Sequence, residues 1–304
     1  MPPSYGDRSY WDARFLTNPA HFDWLVPAPV LLSLVQSTLS SFPIPQPHIL
    51  HIGCGTSELS FALRGLTALP SHVFNIDFSP AAIEAGREEE RKRYNLFHNN
   101  PEQTMRWVSV DLLSLDDVMM LKNGSLAGGY SLIIDKSTSD AISCAEDVAV
   151  TLPYPVNAAG THRPVCEHNE TTKVHPMAVL MVHMAALAAH NAKWLVLSYS
   201  AHRFDFLSTD AALEDLSAAR FINPGLFWRI AATEEIDARE EVPANGSPVV
   251  GRPVTKHTLY TLERTGVEVE ICPCHIDIHN PFAQTWNRSQ RNRSRRNKLI
   301  DTSV

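Results

Sequence analysis

Residues 48–60 read His-Ile-Leu-His-Ile-Gly-Cys-Gly-Thr-Ser-Glu-Leu-Ser. An apolar run ends in two glycines one residue apart, and a polar, helix-opening stretch follows. Gly53 and Gly55 carry no Cβ, so the chain there can take positive φ and a ligand can approach bare backbone. The N–H groups that open the next helix favour an anionic or carboxylate group. Cys54 between them reads as a small spacer. Position 58 is Glu where a third glycine would complete GxGxxG, which turns the motif away from nicotinamide binding.

Three acids stand at the ends of later apolar runs. Phe74-Asn75-Ile76-Asp77 puts a carboxylate roughly twenty residues past the glycines, where it can accept from both ribose hydroxyls. Val108-Ser109-Val110-Asp111-Leu112 places a second where it can accept from an adenine amino group. Leu132-Ile133-Ile134-Asp135-Lys136 ends in a third, facing the same crevice. Any one of them could cap a helix. Glycine turn and acids together, at successive strand ends, describe a nucleoside site. Cys272-Pro273-Cys274-His275 with His279, and Cys166-Glu167-His168, lack the two wider pairs of a structural zinc site, so no metal is expected.

Strands alternating with helices must position these groups. The apolar runs predict strands at 48–52, 73–77, 105–110, 130–135 and 194–199. Helices are predicted at 57–65, 79–94, 114–122 and 175–190. Ser79-Pro80 and His175-Pro176 supply helix starts. Another helix is read at 30–41, and two further strands at 226–231 and 257–264. This order predicts an α/β fold, a parallel sheet with helices on both faces. Residues 143–174 show no period and read as a lid, a binding loop or a disordered stretch. Tyr5, Tyr10, Trp11, Phe15, Phe22 and Trp24 crowd the leading segment, which suggests a cap packed on the domain. The domain reading is a cap at 1–47, a main domain at 48–284 with the irregular insertion 143–174, and a tail at 285–304.

The 304 residues are 44% hydrophobic and 19% charged, a globular composition. The formal net charge is −7, yet Arg288, Arg291, Arg293, Arg295, Arg296 and Lys298 make the tail basic. The body is therefore acidic. It suits a basic partner and disfavours nucleic acid, leaving only tail contacts for RNA. Five sparse cysteines fit a reducing compartment. With no apolar signal core and no run long enough to span a bilayer, the expectation is a cytoplasmic protein without membrane partners, the nucleus being a second site.

The blocks Gly53–Ser60, Asn75-Ile76-Asp77-Phe78-Ser79 and Asp135-Lys136-Ser137-Thr138-Ser139-Asp140-Ala141-Ile142 resemble those of class I S-adenosylmethionine-dependent methyltransferases. More narrowly, they are similar to the group that includes lysine methyltransferases of translation elongation factor 1-alpha. Tyr10-Trp11-Asp12-Ala13-Arg14-Phe15 and Phe22-Asp23-Trp24-Leu25 resemble that group's leading aromatic blocks. The resemblance implies a Rossmann-like, seven-stranded, mostly parallel sheet with helices on both faces and an antiparallel last strand pair. It implies S-adenosyl-L-methionine as cofactor.

By position, the resemblance implies that Gly53, Cys54 and Gly55 pass under the methionine portion. Asp77 would hold the ribose with Phe78 against the adenine, and Asp111 and Leu112 would meet the adenine ring. Trp11 and Arg14 would close over the methionine end, Arg14 as a carboxylate partner. Asp135 and Lys136 would sit where cofactor and acceptor meet. A lysine acceptor must lose a proton, which Asp135 or Asp140 could take and His202 could shuttle. Tyr10, Trp11, Trp24 and Tyr199 are candidates for an aromatic wall around a cation.

The expected acceptor is a protein lysine, by resemblance on elongation factor 1-alpha, within a basic protein substrate. A metabolite under a lid formed by 143–174 is the alternative, and a non-catalytic binding protein a third reading. The family's GTLDA block reads Ser-Thr-Ser-Asp-Ala here, and its Pro-Gly-Gly turn reads His190-Asn191-Ala192-Lys193. Both departures lie on the acceptor side.

Overall fold

The computed structural model describes residues 3–18, 20–43, 47–96, 101–124, 128–160, 170–207, 209–237 and 256–271. Helix α1 (Arg8–Thr17) opens the chain, with Asp7 accepting at 2.9 Å from the Ser9 N–H as its N-cap. Helix α2 (Pro29–Ser40) follows, proline at its first turn. The chain then alternates: β1 (Ile49–Ile52), α3 (Leu59–Gly65), β2 (Val73–Asp77), α4 (Pro80–Arg93), β3 (Arg106–Ser109), α5 (Leu115–Gly124) and β4 (Tyr130–Lys136). A short helix α6 (Thr138–Ile142) leaves β4 at once.

The stretch 143–174, read as aperiodic, contains β5 (Val148–Leu152), β6 (Val156–Ala158) and β7 (Glu170–Val174) among its described residues. These strands were hidden by their length and by the prolines between them. Helix α7 (Pro176–Leu187), β8 (Ala188–Ser198), α8 (Asp210–Ala218), β9 (Trp228–Asp237), β10 (Lys256–Arg264) and β11 (Val269–Ile271) complete the described chain.

Seven strands form one sheet in the order β3-β2-β1-β4-β8-β10-β9. β1 pairs in parallel with β2 and β4, β2 with β3, and β4 with β8. β10 lies antiparallel to both β8 and β9, so the last pair closes the sheet against the prevailing direction. Every residue of β1 and β4 is buried, as expected for central strands covered on both faces. The apolar residues separate into two clusters. One is built on Leu50, Ile52, Ile133 and α7; the other on Ile49, Leu132, Ile134 and α2–α3.

Helix α7 is apolar all round and all twelve of its residues are buried. Strand β6 contacts it and pairs with β11, while β5 pairs with β7. The insertion thus builds two small antiparallel ribbons beside α7. Helix 175–190 of the sequence reading ends at Leu187. β8 begins immediately and bulges over 189–192, where Asn191 takes φ 60°. Asparagine tolerates that left-handed turn. Among the described residues, no helix is long and apolar enough to cross a membrane.

Candidate functional site

The carboxyl ends of β1, β2 and β4 open onto a cavity of about 330 Å³, within the size range of small-molecule sites. The β1–α3 turn forms its floor. Gly53 and Gly55 take φ +53° and +49° there, as the sequence required. The space beside them is filled, however, by protein. A Cβ on Gly53 would stand 2.1 Å from Thr138 Oγ1, and one on Gly55 would stand 3.1 Å from the Phe15 ring. The Thr138 hydroxyl uses this gap to donate to the Ile52 carbonyl at 2.9 Å. The missing Cβ atoms therefore admit the α6 turn and the N-terminal helix, while both glycines still line the cavity. Cys54 lines it too. Burial, then the nearby Asp77 charge, push its thiol up, which suits a spacer.

Asp77 ends β2 almost fully buried. Its Oδ2 accepts from the Gly55 N–H and its Oδ1 from the Ser79 N–H, both at 2.9 Å. Ser79 precedes α4 as read, but its hydroxyl makes no cap; Asp77 holds its N–H instead. Burial pushes the Asp77 carboxyl up to about 6, and the Asp12 charge adds to this, against those two N–H groups. A carboxylate offers about four acceptor positions, so two remain for further donors. Asp111 also lines the cavity and takes the Leu113 N–H on Oδ1 at 2.9 Å. Phe78 and Leu112 complete this end.

The cap is an aromatic cluster. Trp11 meets Tyr10, Phe15 and Trp24 with ring centroids 5.1–5.9 Å apart, and its indole N–H donates to the Tyr5 carbonyl at 2.7 Å. Trp11 and Trp24 line the cavity; Tyr10 packs behind them. Arg14 is placed elsewhere, its guanidinium 3.9 Å over the Phe22 ring, and Arg8 lines the cavity in its stead. Helical spacing explains the exchange: Arg8, Trp11 and Phe15 share one face of α1, and Arg14 does not. The far edge of the cap is closed by Gly6, where a Cβ would fall 2.4 Å from the Ala145 nitrogen.

On the acceptor side, the predicted acids are already engaged. Asp135 is fully buried and outside the cavity lining; it accepts from the Thr138 N–H at 2.8 Å and the Ser139 N–H at 3.2 Å. Burial, then the Asp140 charge, push it up to about 7 against those bonds. Asp140 lines the cavity but is saturated by Arg203, the Ser198 hydroxyl and the Tyr199 N–H. Lys136 lines it as well, with Nζ 3.0 Å from Asp23 Oδ1. Tyr199 stands half exposed at the rim. His202 is exposed, pairs with Asp205 at 2.7 Å and does not line the cavity.

Two groups escaped the sequence reading. Asp23 appeared only within a block, and its partners lie far along the chain. His51 was legible as the single polar residue inside β1. It lines the cavity with Nδ1 3.1 Å from Ser60 Oγ. Burial, then the Lys136 charge, push it down to about 4, so it is neutral at pH 7. The Cys272–His279 and Cys166–His168 motifs lie outside the described residues.

No family model matches the chain. It is 32% identical over 203 residues to methyltransferase srdJ of Neurospora crassa, covering 67% of this chain and 70% of that protein. It is 29% identical to human mitochondrial citrate synthase-lysine N-methyltransferase CSKMT, over 45% of this chain and 58% of that protein. It is 23% identical to mouse EEF1A lysine methyltransferase 4, over 66% and 68%. The residues present fit an adenosyl cofactor: spare acceptor positions on a buried Asp77, a second acid at Asp111, and an aromatic cap. The sheet order, the acids at the ends of β2 and past β3, and the kinship with srdJ agree, and the chain belongs to the class I S-adenosylmethionine-dependent methyltransferases.

Proposed function

We propose that the methyl acceptor is a small molecule. The observation that carries this reading is the aromatic roof of Trp11, Phe22 and Trp24 that the N-terminal cap sets over the cavity. Asp140 is tied to Arg203, Asp23 to Lys136, and Asp135 to its own turn. A lysine acceptor arrives as an ammonium and needs a group to take its proton. A hydroxyl or amine of a metabolite must give up a proton as well, and with these acids engaged the proton leaves to solvent at the Tyr199 rim for either acceptor. The cavity is also roofed by the N-terminal cap, and among the described residues of 143–174 only Cys144 and Ala145 line it. The lid in this reading is therefore the cap. The relative at 32% identity is named as a methyltransferase without an acceptor, and the two lysine methyltransferases are less similar.

S-adenosylmethionine supplies an activated methyl group on a sulfonium, so the protein's share is alignment and exclusion of water. Asp77 accepts from the ribose hydroxyls, and Asp111 and Leu112 flank the adenine with Phe78. The faces of Trp11 and Trp24 offer favourable surroundings for positive charge. The acceptor enters by the rim at Tyr199.

A protein lysine is the second reading, favoured by the aromatic blocks at 10–15 and 22–25. Transfer of labelled methyl groups into extract, split into protein and small-molecule fractions, separates the two. Label in the small-molecule fraction is expected. Label confined to protein would overturn the proposal.

A further inference from the structure

Among the contacts that hold the cap to the rest of the fold, three lie around the cavity, and one of those is an ion pair whose lysine is buried. Thr56 and Ser57, in the glycine turn, hold its first part. The Thr56 hydroxyl donates to the Ala20 carbonyl at 3.0 Å, and the Phe22 N–H donates to the Thr56 carbonyl at 3.4 Å. The Ser57 hydroxyl donates to Asp23 Oδ1 at 2.5 Å. Gly6 against Ala145 is the second place. The third is Lys136, at the end of the central strand β4. Its Nζ lies 3.0 Å from Asp23 Oδ1 and donates to the Trp24 carbonyl at 3.1 Å.

Three features set this contact apart from an incidental salt bridge. The Lys136 side chain is only 4% exposed, so its charge has left water and depends on these partners. Both partners sit beside each other in the cap, and Trp24 lines the cavity while Asp23 also accepts from the Ser57 hydroxyl and the Ala28 N–H. The next residue, Leu25, takes φ +66°, a conformation that bulky side chains avoid. A strained residue persists where its surroundings over-determine it. Here the Lys136 bond to the carbonyl just before Leu25 is such a constraint. Burial pushes the Lys136 ammonium down, and the Asp23 charge holds it up in part.

We propose that Lys136 is the clasp of the aromatic cap. It is a positioning residue that fixes Asp23 and Trp24 over the cofactor cavity, and it does not act on the methyl acceptor. The clasp rests on the cofactor site alone and stands whether the acceptor is a metabolite or a lysine.

Hydrogen–deuterium exchange on the full chain tests it, together with calorimetric binding of S-adenosylhomocysteine. In Lys136→Met, amides 20–26 should exchange about tenfold faster while β4 and β8 keep their protection, because only a local opening is released. Affinity for S-adenosylhomocysteine should fall about tenfold, since the cap is no longer preorganised. Lys136→Arg should recover much of both. Asp23→Asn should open the same amides. Lys136→Met with Asp23→Asn should lie closer to wild type than Lys136→Met alone, because the partly buried Asp23 carboxylate no longer lacks its counter-charge. Unchanged exchange at 20–26 in Asp23→Asn, or exchange rising evenly across the sheet in either variant, would overturn the proposal. If Lys136→Met does not fold, Asp23→Asn decides by the same readout.

Discussion

Arg203 grips Asp140 at two points, with Nε 3.0 Å and Nη2 2.8 Å from the same carboxylate oxygen, and neither side chain is more than 10% exposed. The pair ties the α6 turn to the end of β8 and sets Tyr199 at the cavity rim through its N–H. Asp140 is thereby an anchor. Asp140→Ala should leave a buried arginine unpaired and cost about 3–5 kcal/mol of stability. Chemical denaturation measures the loss. The pH dependence of methyl transfer, in whatever activity remains, should keep the wild-type shape, since no proton passes through this group. A lost ionisation in that profile would restore Asp140 as a base.

With Asp77 as the ribose partner, cofactor affinity should depend on pH. Its carboxyl sits at about 6 in the free protein, raised by burial. Ribose hydroxyls would donate to the ionised form, so binding should favour the carboxylate and lower its proton affinity. Affinity for S-adenosylhomocysteine should be full above pH 7. It should weaken as pH falls through 6, by up to about tenfold per unit below it. Asp77→Asn should bind less well and flatten the dependence. Calorimetry between pH 5 and 8 measures both.

Gly53→Ala should be disruptive for two separate reasons. Its φ of +53° strains any side chain, at roughly 1–3 kcal/mol. Its new Cβ would also overlap the Thr138 side chain, which overpacks the turn by about another 1–3 kcal/mol. Adding Thr138→Ala to Gly53→Ala should recover the second part and leave the first. A thermal-stability cycle over the four proteins reads the coupling.

Asp135 should make the free protein less stable as pH rises toward its folded value of about 7, with the loss levelling off above that. Its folded value of about 7 stands above the unfolded value near 3.8. The folded state therefore holds a proton that the unfolded state has already lost. That contribution is full below the unfolded value and fades as pH climbs through about 7. His51 and His183 work in the opposite sense, with folded values near 4, but they act below about pH 6.5. Between about pH 6.5 and 7.5 the wild-type melting temperature should fall relative to that of Asp135→Asn, and above about pH 8 the two should run parallel. Equal slopes in both proteins would mean that Asp135 titrates elsewhere.

Much of the sheet is legible in local pattern. β1, β2 and β4 are short apolar runs, and Asp77, Asp111 and Asp135 mark where they or their connections end. Prolines at 80 and 176 mark helix starts that the structure places at those residues. The insertion strands were harder to read, because three-to-five-residue strands carry too few positions for a period-2 signal. Arg14 was misplaced for a related reason: a motif fixes order along the chain, while the face of α1 fixes which side chain reaches the cavity.

The sequence by itself determined the alternating α/β order, the glycine turn and the acids at the sheet edge. These follow from steric and hydrophobic rules that act between near neighbours. The partner of each buried charge was decided only by the tertiary structure. Lys136 meets Trp24 across 112 positions, and Asp140 meets Arg203 across 63. A desolvated charge takes whatever opposite charge the fold brings within reach. Which acids remain to do chemistry is therefore settled in space, after the chain has closed on itself.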